Sequence, residues 1–293
     1  MCCIVMKASA LLVAFVVGQS RLESKVETNL IQPSINMVNR TAFYAAAASC
    51  SVSNVQAWSC RSCRKARKTK PTGVLAFTSP STTAMGYALA DVPNKMIILS
   101  FRGTNNFNLG ATDLKYTLVP FKDMKDPNIK VHQGFLEVLD SLYPEFMPYL
   151  KKYWEPNYSI VVTGVSLGGA VASLAAVRIH TQLRIPFKKL TLITFGQPRT
   201  GNEAYARAYN RMPMRAARVV NYDDPFPHTP PSNIQGYTHH QNELYLKANG
   251  DPQYCNQNVL EDPKCANKLS GLYYDPASHL RAFDAYFNPL FGC

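Results

Sequence analysis

Ile160-Val161-Val162-Thr163-Gly164-Val165-Ser166-Leu167-Gly168-Gly169-Ala170-Val171-Ala172-Ser173-Leu174-Ala175-Ala176-Val177 decides how the rest of the chain is read. Four β-branched residues turn through Gly164-x-Ser166-x-Gly168 into a run of small and apolar ones. Strand, sharp turn and helix in that order make a nucleophile elbow. Glycines flank the serine because strand and helix approach too closely there for side chains. Ser166 is left at the helix N-terminus, where free N–H groups and the helix dipole favour developing negative charge. A bare GxSxG match arises by chance on the order of once in ten chains of this length. The strand before and the helix after therefore carry the reading.

Working outward, Leu190–Phe195 reads as a buried strand ended by Gly196, a helix follows from Asn202 to about Asn210, and Ala217–Asn221 is the next strand. Upstream, Gly134–Lys152 has helical periodicity with Pro144 and Pro148 distorting it. Met85–Ala90 and Lys95–Phe101 read as a hairpin, the second strand apolar enough to be central and buried on both faces. Thr41–Ala48 reads as a helix after an irregular lead-in, Cys60–Lys70 as a loop, and Val74–Phe77 and Tyr116–Val119 as strands. Glu243–Leu246 suggests a late hairpin and His279–Phe287 a last helix. Alternation of strands and helices from Tyr158 onward implies βαβ units, and the front hairpin makes the sheet mixed. The expected class is α/β, in one domain over residues 21–293.

With 293 residues and 46% hydrophobic content the chain has material for a large core. Ile4–Val17 is too short to span a bilayer comfortably, and Gly18, Gln19, Ser20 and Arg21 follow it. That layout makes residues 1–20 a secretory signal peptide, with a signal anchor as the weaker alternative, and places the mature protein outside the cell without a transmembrane segment. Beyond it stand Cys50, Cys60, Cys63, Cys255, Cys265 and Cys293, an even set that reads as disulfides in a secreted chain. Cys60-x-x-Cys63 lacks a second ligand pair, so no metal site is expected. Asn39-Arg40-Thr41 and Asn157-Tyr158-Ser159 are glycosylation sequons in that setting. The net charge of +12 concentrates at Arg61, Arg64, Lys65, Arg67, Lys68 and Lys70. The plain reading of residues 61–70 is a solvated loop, and the functional one is attraction to an anionic lipid surface or polyanion. No nucleic-acid motif accompanies the charge.

A serine hydroxyl is a poor nucleophile until a histidine takes its proton and an acid orients that histidine. Asp224 follows a strand and precedes the rigid Pro225-Phe226-Pro227 turn, which makes it the first acid to consider. Asp251, Asp262 and Asp275 are alternatives without an obvious preceding strand. His228 is too near Asp224 to partner it easily, and His239 and His240 could be core or supporting residues. His279 sits at a loop-to-helix junction, where a base is usually delivered. The oxyanion donors are expected at the N–H of Leu167 and at Thr104, in the loop after the central strand.

These stretches together resemble the class 3 (fungal-type) triacylglycerol lipases over most of the mature chain. The resemblance rests on Leu99–Thr104, Val131–Phe135, Gly164–Ala170, Thr194–Asn202, Asp224–Pro231, Gly236–His239 and Ser278–Leu280. It implies an α/β-hydrolase fold, Ser166 as nucleophile, Asp224 as orienting acid, His279 as base, and Thr104 with Leu167 as the oxyanion hole. It places the family's lid at Asn105 to about Gly110, with Phe107 and Leu109 among the substrate-facing residues, and pairs Cys50 with Cys293, leaving Cys60–Cys63 and Cys255–Cys265. Val165 stands where the family usually has histidine, a position that carries no proton but bears on packing beneath the acyl pocket. The activity implied is a secreted serine esterase acting on acylglycerols at a lipid–water interface, as a monomer and without metal or organic cofactor. A phospholipase A1, a feruloyl-type esterase and a non-catalytic lipid-binding homologue are the alternatives.

Overall fold

A computed structural model of the chain describes residues 27–104, 116–269 and 273–293. Residues 1–20, expected to be a leader, and Asn105, Phe107 and Leu109 of the expected lid lie outside the described residues.

The helices are α1 (Ile35–Ala47), α2 (Val52–Ala57), α3 (Arg61–Ala66), α4 (Gln133–Tyr153), α5 (Leu167–Leu183), α6 (Glu203–Asn210) and α7 (Pro289–Gly292). The strands, in chain order, are β1 (Thr72–Thr78), β2 (Met85–Asp91), β3 (Met96–Phe101), β4 (Leu118–Pro120), β5 (Lys130–His132), β6 (Ser159–Val165), β7 (Leu190–Phe195), β8 (Gly201–Asn202), β9 (Arg215–Asn221), β10 (Tyr237–Thr238), β11 (Glu243–Leu246), β12 (Pro252–Tyr254), β13 (Arg281–Ala282) and β14 (Ala285–Tyr286). The main sheet has the order β1-β2-β3-β6-β7-β9-β11-β12. β3, β6, β7, β9 and β11 run parallel, while the edge pairs β1/β2, β2/β3 and β11/β12 are antiparallel. β10, β8, β5 and β4 form a second, small sheet.

Period-two alternation divides the core between the two faces. Ile97, Leu99 and Phe101 of β3 pack with Ile160 and Val162 of β6 under α4 and α5. Ile98 and Val161 point the other way, against Tyr44 of α1, Val55 of α2 and Cys63 of α3. β3 is thus buried on both faces, as its apolar run implied.

Three local expectations change, while a fourth element, α4, is found as expected. α1 begins at Ile35 within the supposed irregular lead-in, because Ser34 caps it by accepting the N–H of Met37 at 3.3 Å. The basic stretch 61–70 is not simply a loop: its first half is α3, capped by Cys60 and closed by the Cys60–Cys63 disulfide. α4 is the helix expected over Gly134–Lys152, and it runs through Pro144 and Pro148, both on its exposed face, where the freed carbonyls can turn to water. The helix expected from His279 to Phe287 is absent. A 3₁₀ turn, Pro276–Leu280, leads instead into the β13–β14 ribbon, whose turn holds Phe283 at φ 51°. Burial of Ala282, Ala285 and Phe287 overrides the helical propensity of that segment.

All three expected disulfides are formed, Cys50–Cys293, Cys60–Cys63 and Cys255–Cys265. Among the described residues no helix is long and apolar enough to cross a membrane.

Candidate active site

The elbow is built as its residue types require. β6 ends at Val165, Ser166 takes φ 55° and ψ −127°, and α5 starts at Leu167. A non-glycine residue held there carries strain, on the order of 1–3 kcal/mol, of the kind found at active sites. A side chain at Gly164 would run into the Gly168 carbonyl, and one at Gly168 into that of Phe101, so both must be glycine. Leu167 occupies the first helical position, whose N–H has no intrahelical acceptor.

Two consecutive residues at the end of β7 bring the other groups to this turn. The Ser166 N–H donates to the Phe195 carbonyl at 2.8 Å. Gly196, next in the chain, lies directly against the His279 ring and the Asp224 carboxylate. A Cβ at Gly196 would stand 2.5 Å from His279 Nδ1 and 2.8 Å from Asp224 Oδ2. His279 donates from Nδ1 to both Asp224 oxygens, at 2.8 and 3.0 Å, and both residues are buried. Asp224 Oδ1 also accepts the Phe226 N–H at 2.9 Å, and the Phe226 ring stacks on the imidazole with centroids 4.0 Å apart.

The loops carrying the acid and the histidine are stitched together. Asn221 Nδ2 donates to the Ser278 carbonyl at 2.9 Å, and Ser278 Oγ donates to Asp223 at 2.5 Å. The other acids are occupied elsewhere. Asp275 caps the 3₁₀ turn, Asp262 accepts the N–H groups of Asn256 and Lys264, and Asp251 bonds Asn249.

The remaining histidines have structural partners. His239 donates from Nε2 to the Pro227 carbonyl at 2.7 Å, bracing the turn after Asp224, whereas His240 stacks on Tyr209 in the core. Burial pushes both rings well below the usual histidine range. His132 caps α4 by accepting the Gly134 N–H on Nδ1 at 3.0 Å, and burial lowers its pKa to about 4. Arg199 and Glu261 carry no signal of their own in the sequence. Glu261 takes the Arg199 guanidinium with both oxygens, at 2.8 and 2.6 Å. Arg199 in turn donates to the carbonyls of His228 and Pro230.

Thr104 is exposed and lines a cavity of about 340 Å³ with Gly103, Val165, Cys50, Phe287 and Pro289. Val165 itself is buried against Phe195 and Phe287. Among the described residues, Glu243, Cys255 and Cys265 alone have metal-ligand spacing, and both sulfurs are spent in a disulfide.

Comparison with known proteins bears on this geometry. The class 3 lipase family model matches residues 98–234. The solved structure of lipase II from Rhizopus niveus superposes with a TM-score of 0.76 at 31% identity, covering 86% of this chain and 95% of that one. The chain belongs to the class 3 lipases. With membership comes the α/β-hydrolase fold, and the mainly parallel sheet described above is its form here. A second neighbour of this class 3 lipase is a triacylglycerol lipase whose catalytic centre is formed by a serine protease triad. It superposes with a TM-score of 0.76 at 27% identity, covering 86% of this chain and 95% of that one. A secreted mono- and diacylglycerol lipase of Fusarium solani is 32% identical over 188 residues, 61% of this chain and 52% of that protein. The chain spans about half the length of the sequence relatives it matches, 54% in the case of the Rhizopus niveus lipase.

Proposed function

We propose that this class 3 lipase is a secreted serine ester hydrolase acting on acylglycerols. The observation that carries the reading is the buried His279–Asp224 pair, seated on the residue that follows the partner of the Ser166 N–H. In the proposed reaction Ser166 Oγ attacks the ester carbonyl and His279 Nε2 takes the hydroxyl proton. Asp224 holds the imidazole with Nδ1 protonated and stabilises the cation that forms. The N–H of Leu167 and the Thr104 loop hold the oxyanion, the α5 N-terminus adding its dipole. The alcohol leaves with the proton from His279. A water molecule then repeats the sequence on the acyl-enzyme and releases the fatty acid.

Secretion is supported by three disulfides and by the exposed sequon at Asn157, which lies in a turn. Asn39 is less open, half-buried within α1. Residues 1–20 are the proposed leader and 21–293 the mature hydrolase.

The deciding experiment compares the chain with its Ser166→Ala variant on tributyrin emulsion and on a soluble p-nitrophenyl ester, alongside labelling by a fluorophosphonate probe. Labelling and turnover are expected in the unaltered chain, with turnover lost by a factor of about 10³ or more in the variant. Hydrolysis that survives the substitution overturns the assignment. Faster turnover of phospholipid or methyl ferulate than of tributyrin moves the substrate class to a phospholipase A1 or a feruloyl esterase.

A further inference from the structure

Seven large apolar side chains are exposed among the described residues, and four of them gather at one place. Leu290 is 87% exposed, Phe291 55%, Val52 41% and Tyr286 37%. Val52 lies two residues past Cys50, and Leu290 and Phe291 lie just ahead of Cys293, so the Cys50–Cys293 disulfide holds them together. The Tyr286 ring is 5.5 Å from that of Phe291.

α3 flanks this patch, its Arg61 N–H donating to the Cys293 carbonyl at 3.0 Å. It and the residues after it present Arg61, Arg64, Lys65, Lys68 and Lys70 to solvent. Between residues 28 and 104 Asp91 is the sole acidic residue, and Arg67 already holds it. Asp284, in the β13–β14 turn, is the exposed carboxylate of the adjoining ribbon.

We propose that Val52, Tyr286, Leu290 and Phe291, with the cations of α3, form the surface by which this protein docks on an anionic phospholipid bilayer. Apolar side chains that enter the headgroup region beside lysines and arginines that meet acidic headgroups are the two components of such binding. A second copy of the chain fits less well, because a stable dimer uses roughly 20 residues a side and four apolar ones are present here. Position supports the same occupant. The cavity lined by Thr104 and Val165 also has Cys50, Ser51 and Pro289 in its wall, the immediate neighbours of Val52 and Leu290. Docking through this patch sets the mouth beside Ser166 close to the lipid. The inference deepens the ester-hydrolase reading and rests on it for the meaning of that mouth, while vesicle binding is read without turnover.

The test is co-sedimentation of the Ser166→Ala chain with vesicles of phosphatidylglycerol and phosphatidylcholine, and with vesicles of phosphatidylcholine alone. Each Lys or Arg near an anionic leaflet strengthens binding about fivefold. Binding to the anionic vesicles is expected to be at least tenfold tighter. It should fall at least tenfold with Leu290→Ser/Phe291→Ser, and likewise with Arg61→Gln/Arg64→Gln/Lys68→Gln. With Ser166 restored, both sets should hydrolyse a soluble short-chain ester at the unaltered rate, which separates docking from folding and chemistry. Equal binding to both vesicle types, or undiminished binding by the variants, overturns the proposal. So does a dimer in solution that Leu290→Ser/Phe291→Ser dissociates without changing vesicle binding. Vesicle binding by a chain that hydrolyses no ester would sustain the docking surface and overturn the hydrolase reading alone.

Discussion

Arg199 and Glu261 form a two-pronged ion pair, and the pair holds the loop that carries Asp224. Glu261 Oε1 also accepts from Thr238 Oγ1 at 3.0 Å and from the His239 N–H at 2.9 Å. Arg199 Nη1 donates to the carbonyls of His228 and Pro230 at 2.6 and 2.9 Å. Those partners lie on the segment running from the acid's turn through β10 to His239, the residue that follows it. Glu261 itself is carried on the short loop closed by Cys255–Cys265.

Breaking this pair should therefore loosen the acid without touching it. Removing one member of a buried ion pair costs about 3–5 kcal/mol, because the other is left uncompensated. Glu261→Gln is expected to lower kcat about tenfold or more with KM nearly unchanged, and to lower the urea midpoint. Burial alone would raise the Glu261 pKa, but the Arg199 hydrogen bonds and charge overrule it and hold the carboxyl well below its usual range. Its stabilising contribution is thus complete above the ordinary carboxylate pKa, shrinks as pH falls below that value, and is gone only once pH has passed the depressed folded value. The difference between urea melts of the unaltered chain and of Glu261→Gln should narrow between pH 7 and pH 3. A constant difference across that range would remove Glu261 from the account.

Gly196 supports the proposed catalytic pair, His279 and Asp224, from beneath. Its φ is 56°, and the space a Cβ would need is filled by the His279 ring. Gly196→Ala should displace the imidazole and reduce kcat at least a hundredfold while leaving the far-UV spectrum unchanged. A kinetic comparison at saturating soluble ester checks this. Activity within threefold of the unaltered chain would mean that the ring can shift without consequence.

How far the sequence was legible follows from how local each signal is. The elbow, β3 and the six disulfide cysteines were readable because a turn motif, an apolar run and a paired set each lie within one segment or one residue type. The alanine run alone makes α1 too short, since its start depends on the Ser34 cap. The propensity of the His279 segment favours a helix, whereas the buried side of the β13–β14 ribbon is a tertiary fact. Arg199 and Glu261 are separated by 62 residues, so no local pattern could join them.

His132 gives a prediction of the opposite kind, a histidine whose value lies in staying neutral. Its Nδ1 must remain unprotonated to accept the Gly134 N–H and cap α4. Burial lowers its pKa from 6.5 to about 4. The folded value lies below the unfolded one, so the unfolded chain binds the proton more readily. Stability from this group is complete above the unfolded pKa and declines as pH falls from about 6.5 towards 4. His132→Asn keeps a capping oxygen and should flatten that part of the pH–stability curve. His132→Ala should cost about 1 kcal/mol or more at pH 7 through the lost cap. Chemical denaturation of the three proteins at half-unit steps of pH measures both effects.

The Cys50–Cys293 bridge ties the end of the first helical layer to the end of the described chain across a separation of 243 residues. A cross-link spanning so long a segment restricts the unfolded ensemble, and the chain-entropy account gives it up to about 5 kcal/mol. Engineered cases often deliver less, so Cys50→Ser/Cys293→Ser is expected to lower the unfolding free energy by about 2–5 kcal/mol. The bridge also anchors Pro289 and Cys50 in the wall of the cavity beside Val165. Loss of the bridge should consequently raise KM for long-chain esters more than for acetyl esters, whose short acyl group has no need of that wall. Chain-length profiles of the double variant, taken well below its melting temperature, separate this effect from instability. A uniform rise in KM across all chain lengths would confine the bridge to a stabilising role.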